Sequence, residues 1–199
     1  MIKSPILAAI ALAAAALSAT AQATTINLGS SLIDTVSAAP SFSNGSLGVT
    51  IRGESNGSAL DVAMNSSGVG YDSGLLDPGE LNSSVGNNPG DFITFTFNQA
   101  VNLTGLTMTG WENGFDKAIL SWGTNSVALN YSSSILTLKD TFDLSGVTGT
   151  TFKLQAVGAV SAFRLYSLNA TPAVPEASTY ALMGLGLVGI AAVRRRRAR

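Results

Sequence analysis

The feature that most constrains the fold of this chain is a two-residue alternation of apolar residues and threonines at residues 93–97, within the run FITFTF at 92–97. In an extended chain, successive side chains point to opposite faces, so Ile93, Phe95 and Phe97 share one face and the threonines between them share the other. This segment therefore predicts a strand that is buried on one side and exposed on the other.

Shorter alternations recur through the middle of the chain between turns rich in Gly, Ser, Thr and Asn, and we find no amphipathic helical pattern there. Asn113-Gly114 predicts a turn between two strands. The pattern is typical of an all-β fold, and we expect an antiparallel β-sandwich of the jelly-roll kind. The predicted strands are 47–52, 59–65, 91–98, 103–111, 117–122, 126–131, 135–142, 151–157 and 162–169.

The N-terminus has the three parts of a secretory signal peptide. Lys3 supplies a positive charge, an apolar run covers 6–17, and Ala21-Gln22-Ala23 forms an A-x-A cleavage site. The apolar run is too short to span a bilayer core of about 30 Å comfortably. We expect signal peptidase to remove residues 1–23 during export, with cleavage after Ala21 as the alternative.

A second apolar segment, without charged residues, lies at 177–193. As a helix rising about 1.5 Å per residue it would reach roughly 26 Å, just enough to cross a membrane. A cluster of arginines resists translocation, so we expect a transmembrane helix with the main domain outside and the basic tail in the cytoplasm. The arginines that stop transfer are Arg194, Arg195, Arg196, Arg197 and Arg199.

The residues before this helix are Val174, Pro175, Glu176 and Ala177. A short motif, an apolar helix and a basic end together resemble the PEP-CTERM sorting signal, in which the motif reads Pro-Glu-Pro; here Ala177 replaces the last proline. The resemblance implies a bacterial protein that an exosortase, a membrane-embedded cysteine peptidase, cuts near the motif. An ordinary single-pass anchor is the alternative, and it leaves Pro175-Glu176 unexplained.

These signals divide the chain into a signal peptide at 1–23, a β-sandwich domain at 24–171 and a sorting signal at 172–199. Residues 24–174 hold five basic and eleven acidic side chains, so the exported part has a net charge of −6 and is not expected to bind nucleic acid. The chain has neither cysteine nor histidine. Disulfides, thiolate or imidazole catalysis and zinc sites built on those residues are therefore excluded.

One candidate metal site lies in the loop-rich stretch 71–91. Asp77, Glu80 and Asn82 offer the oxygen ligands that calcium prefers, although their spacing is not that of an EF-hand. The simpler interpretation is that these are solvated loop acids, and no other cofactor is expected. The same acids could serve as the carboxylate pair of a glycosidase, but spacing alone does not bring two carboxyls together across a cleft.

A candidate glycan site is centred on Trp111. By parity with Thr107 and Thr109 of the same predicted strand, this ring should point outward, beside Glu112, Asn113 and Asp116. An exposed aromatic ring with placed polar groups suits a sugar ligand. The alternative is that Trp111 covers the edge of the core.

From these features we expect a non-enzymatic protein that reaches the cell surface or extracellular matrix and associates with exopolysaccharide or a biofilm. Two alternatives remain open. One is a secreted carbohydrate-active enzyme that uses paired carboxylates. The other is an ice-binding protein, for which the pairs Thr94/Thr96 and Thr107/Thr109 suggest a threonine array.

Overall fold

The computed structural model describes residues 22–29, 35–55, 58–71, 79–83, 91–130, 139–173 and 184. Gln22–Ala173 forms one compact unit, hereafter the folded unit. Its described part contains strands and no helix. The strands are β1 (Thr24–Asn27), β2 (Thr35–Ser37), β3 (Ser41–Asn44), β4 (Leu47–Ser55), β5 (Ser58–Leu60), β6 (Val62–Asn65), β7 (Gly68–Tyr71), β8 (Leu81–Asn82), β9 (Phe92–Thr109), β10 (Lys117–Trp122), β11 (Asn125–Leu129), β12 (Lys139–Val157) and β13 (Ala162–Pro172).

Two long strands, β9 and β12, run side by side through the middle of the sheet. On its other edge, β9 pairs first with β4 and then, in its second half, with β13. The far half of β12 pairs with β10, which pairs with β11. Every pairing among these strands is antiparallel, so the predicted all-β, antiparallel class is confirmed.

The apolar side chains of the alternating segment 92–97 lie in the core, as predicted. Ile93, Phe95 and Phe97 are at most 2% exposed. The Phe95 ring stacks on Phe152 with centroids 5.5 Å apart, and Phe97 meets Phe152 edge-on at 5.9 Å. Aromatic pairs prefer these geometries, and their burial supplies much of the stabilisation of a fold of this size.

The observed strands differ from the predicted strands in places where polar residues adopt an extended conformation. The predicted strands 91–98 and 103–111 are parts of the single strand β9, because the chain stays in the sheet through the exposed residues 98–100. Strand β3, which reads SFSN, was not predicted because Ser and Asn favour turns. The predicted Asn113-Gly114 turn is present, with Gly114 at φ 94°.

Both terminal segments fall largely outside the described residues. Only Gln22 and Ala23 of the predicted signal peptide, and only Gly184 of the predicted helix at 177–193, are described. In the part of the chain that the structure describes, no helix has both the length and the apolar character needed to span a membrane.

Candidate functional site

The described residues of the two predicted sites lie at one end of the sheet, where three loops meet. The Asp116 carboxylate accepts a hydrogen bond of 2.9 Å from the backbone N–H of Ala162, which is paired in register with Asn82. A Cβ placed on Gly110 would lie 3.8 Å from Glu80 Oε1. We call residues 79–83, 110–117 and 158–162 the loop cluster.

Trp111 is a core residue, so the parity prediction that it points outward is wrong. Its side chain is 6% exposed and packs against Phe142 and Phe163, with ring centroids 4.8 and 5.1 Å away. Strand parity applies only while the chain stays extended, and here β9 ends at Thr109. Gly110 follows at φ 75°, in the left-handed region, and turns the next side chain inward.

Asp116 holds the 110–117 loop against β13. It is buried, and its two carboxylate oxygens accept hydrogen bonds from the backbone N–H groups of Glu112 and Ala162. The backbone N–H groups of Phe115 and Asp116 donate to the Glu112 carbonyl at 3.0 and 2.9 Å. Both oxygens of the Asp116 carboxylate therefore bind the backbone. This residue has a structural role and does not face a ligand.

Burial raises the pKa of the Asp116 carboxyl above its ordinary value. The negative charges of Glu112 and Asp140 also raise this pKa, whereas the two backbone hydrogen bonds lower it. Asp140 is itself 3% exposed. Asp116 therefore lies near two other acidic side chains, the exposed Glu112 of the same loop and Asp140 of β12.

Ser161 connects the other two loops, and no sequence pattern indicates this role. Its hydroxyl accepts from the Lys117 backbone N–H at 2.9 Å and donates to the Val157 carbonyl at 2.6 Å. The Ser161 N–H donates to Ser83 Oγ, and the Ser83 N–H donates to the Ser161 carbonyl, both at 2.8 Å. A serine in a turn is too common for sequence alone to identify it as a brace.

The predicted calcium ligands are only partly described. Asp77 lies outside the described residues, whereas Glu80 and Asn82 are half-buried. Asn82 donates through its side chain to the Glu80 carbonyl at 3.3 Å and through its backbone to Asp91 at 3.1 Å. Among the residues that the structure describes, no group of three acidic side chains is placed to hold a metal. The calcium site remains a prediction.

The exposed part of the loop cluster differs from the predicted glycan site. Glu112 is exposed and Asn113 is half-buried, with its Oδ1 accepting from Trp111 Nε1 at 3.2 Å. Two apolar side chains project into solvent: Phe115, 64% exposed, and Val160, 65% exposed. A sugar that reached this loop would meet Phe115 rather than the predicted Trp111.

The threonines considered for ice binding do not form one flat face. Thr96 is exposed and Thr94 is half-exposed. Thr107 is half-buried and shares a 3.3 Å hydrogen bond with Thr141, whereas Thr109 is buried and donates to the Ser67 carbonyl. The hydroxyls of Thr107 and Thr109 therefore form hydrogen bonds within the protein.

Replacing Asp116 with asparagine is expected to lower the unfolding free energy by about 1–3 kcal/mol, because the amide nitrogen takes the place of one carboxylate oxygen and cannot accept the backbone hydrogen bond that this oxygen accepts. A raised folded-state pKa stabilises the folded state below the unfolded pKa, and this stabilisation is lost as the pH rises through the folded pKa. The difference in unfolding free energy between wild type and Asp116→Asn should therefore become smaller as the pH rises above 3.8.

Urea titrations of both proteins from pH 3 to 7 measure this difference. Glu112→Gln is the matched control, because the Glu112 side chain is exposed, and it should change stability by less than about 0.5 kcal/mol. Two results would contradict the structural role of buried Asp116. One is a free-energy difference between wild type and Asp116→Asn that grows with rising pH. The other is an equal loss of unfolding free energy in Glu112→Gln.

Comparison with known families adds one finding. Residues 173–197 match the model of the PEP-CTERM protein-sorting motif, which confirms the resemblance of the tail. The match includes Val174–Ala177 and the arginines 194–197, all outside the described residues, and it ends before Arg199. No curated protein and no solved structure matches the chain. The motif indicates an exported protein that is sorted to the cell surface and processed by an exosortase.

Proposed function

We propose that this exported protein is a non-enzymatic component of the cell surface or extracellular matrix, associated with exopolysaccharide or biofilm. The observation that carries the proposal is where the sorting motif begins. The motif starts at residue 173, directly after β13 ends at Pro172. Cutting near Pro175-Glu176 would therefore release the folded unit without removing any part of its sheet.

The N-terminal end of the folded unit is arranged in the same way. Strand β1 begins at Thr24, the residue that follows the predicted signal-peptidase site. It pairs with β13 in an antiparallel register that sets Thr24 opposite Ala170. The two ends of the folded unit therefore leave the sheet on neighbouring strands. This geometry suits a domain held at one end while the signal peptide and the 177–193 helix are still in a membrane.

We also propose that the folded unit is an antiparallel β-sandwich of the jelly-roll kind. The two halves of β9 have different partners on one edge, β4 and then β13. The register between β9 and β12 shifts between Asp143 and Val147 and again between Gly149 and Thr151. Such bulges bend strands and let them pass from one layer to the other. The buried side chains of both halves belong to one core, as two facing layers require.

A clean deletion of the gene in the bacterium that makes the protein tests the proposed function. We expect weaker cell aggregation and less exopolysaccharide retained on the cells, because a matrix component would be missing. Reintroducing the full chain should restore both properties. Unchanged aggregation and retention in the deletion strain would contradict the proposal.

A further inference from the structure

The exposed face of the sheet carries a row of hydroxyl groups that crosses four neighbouring strands. The strand registers place Ser41 opposite Thr50, Thr50 opposite Thr96, and Thr96 opposite Thr151. The hydroxyls of Ser41 and Thr50 are 2.9 Å apart, and those of Thr96 and Thr151 are 3.4 Å apart. With strands about 4.8 Å apart, the row is roughly 14 Å long.

Beside this row, Gly48 leaves a hollow in the face because it has no side chain. Gly48 pairs with Ser43 on β3, and Asn98 of β9 flanks it on the other side. Asn98 is fixed there, since its Oδ1 accepts from the Gly48 N–H at 3.1 Å and its Nδ2 donates to the Ser46 carbonyl at 2.9 Å. The result is a groove with a defined wall, which we call the Gly48 groove.

The Gly48 groove has a volume of about 400 Å³, within the range of small-ligand sites. None of the residues that line the groove is charged; the cations Arg52 and Lys153 follow two residues after Thr50 and Thr151 and are not part of the lining. Each serine or threonine hydroxyl has one donor and two acceptor positions, so the hydroxyls that bond to each other keep capacity for a ligand. The lining residues are Ser41, Phe42, Ser43, Gly48, Val49, Thr50, Thr96, Phe97 and Asn98.

We infer that the Gly48 groove, together with the hydroxyl row, binds an uncharged polysaccharide chain lying across the strands. Sugar hydroxyls both donate and accept hydrogen bonds, as the groups of the row do, and an uncharged chain leaves no ionic group unpaired. The inference deepens the proposed function and depends on it, because it names where the exopolysaccharide is held and requires that chain to be neutral.

Two substitutions test the groove without altering the interior. Gly48→Val fills the hollow: the backbone of Gly48 is outside the left-handed region, and a Cβ there would lie 3.6 Å from Asn98 Nδ2, an ordinary contact. Thr96→Val removes one hydroxyl of the row from an exposed position without changing the shape of the side chain. Ser126→Val is the matched control, because Ser126 is exposed on β11 and does not line the groove.

The protein isolated from the cells that make it is titrated in affinity electrophoresis against dextran, a soluble β-glucan, mannan, alginate and the cells' own exopolysaccharide. We expect wild type to bind at least one neutral polysaccharide and the purified exopolysaccharide. Gly48→Val should weaken this binding about tenfold or more and Thr96→Val by a smaller factor, whereas Ser126→Val should bind as wild type does. Melting temperatures confirm that each variant is folded.

The outcomes separate the groove from the proposed function. Unchanged binding by a folded Gly48→Val variant would overturn the groove and leave the matrix role standing. Binding to alginate alone would overturn the neutral-ligand assignment. If wild type bound no polysaccharide, the groove inference would fail, while the deletion strain would still report separately on the matrix role.

Discussion

Replacing Phe152 with alanine is expected to lower the unfolding free energy of the protein by about 3–5 kcal/mol. The Phe152 side chain is 1% exposed and contacts the rings of both Phe95 and Phe97. Its removal leaves a cavity at the junction of β9 and β12, the two strands that hold the sheet together. Domains are commonly stable by about 5–15 kcal/mol, and this chain has no cysteine for a compensating disulfide.

Phe115→Ala is the matched control for this prediction. Phe115 is 64% exposed, so the same change of residue type should alter the unfolding free energy by less than about 0.5 kcal/mol. Urea denaturation of wild type and both variants, at the same pH, gives the two differences. Similar losses for Phe115→Ala and Phe152→Ala would show that the core is not where the structure places it.

Replacing Pro175 and Glu176 together with alanine is expected to leave most of the protein uncleaved and in the membrane fraction. Proline disfavours helix, so we expect Pro175 to keep the segment before the apolar stretch extended and accessible to a peptidase. Both residues lie in the segment that matches the sorting motif, next to the uncharged stretch 177–193. Without recognition, that stretch should remain as an anchor.

Fractionation of cells, followed by detection of the protein in membrane, surface and culture fractions, measures this effect. Ser178→Ala with Thr179→Ala is the control, because it changes two residues of the same tail outside Pro175-Glu176. The control should be processed as wild type is. Normal release of the Pro175→Ala, Glu176→Ala variant would mean that this pair is not the recognised motif.

The features that were predicted correctly from the sequence depend only on residues that are close to one another in the sequence. Two-residue alternation is a property of neighbouring residues, so the burial of Ile93, Phe95 and Phe97 followed directly from it. The sorting motif is also local, since it requires only a short motif, an apolar stretch and a basic end in sequence. Neither prediction needed knowledge of which strands are neighbours.

The features that the sequence did not predict depend on contacts between distant segments. The hydroxyl row joins Ser41, Thr50, Thr96 and Thr151, and strand register alone brings these residues together. An isolated glycine in a strand pattern suggests a bulge or a close approach, but it does not show that Gly48 borders a groove.

Trp111 was mispredicted for a related reason. Parity was extended past the end of β9, through Gly110 at positive φ, into a loop whose direction is set by Asp116 and its bonds to Glu112 and Ala162. A glycine at that position was visible in the sequence, but its positive φ was not. Loop direction therefore limited the prediction of the candidate site more than strand assignment did.

The intact mass and subcellular location of the native wild-type protein test the central claim most directly, namely that the folded unit is carried outside and trimmed at both ends. We expect a surface or extracellular protein that begins at Thr24 and ends near Glu176, without the apolar stretch or the arginines. A cytosolic protein of 20.3 kDa that still carries Met1 and Arg199 would contradict the account.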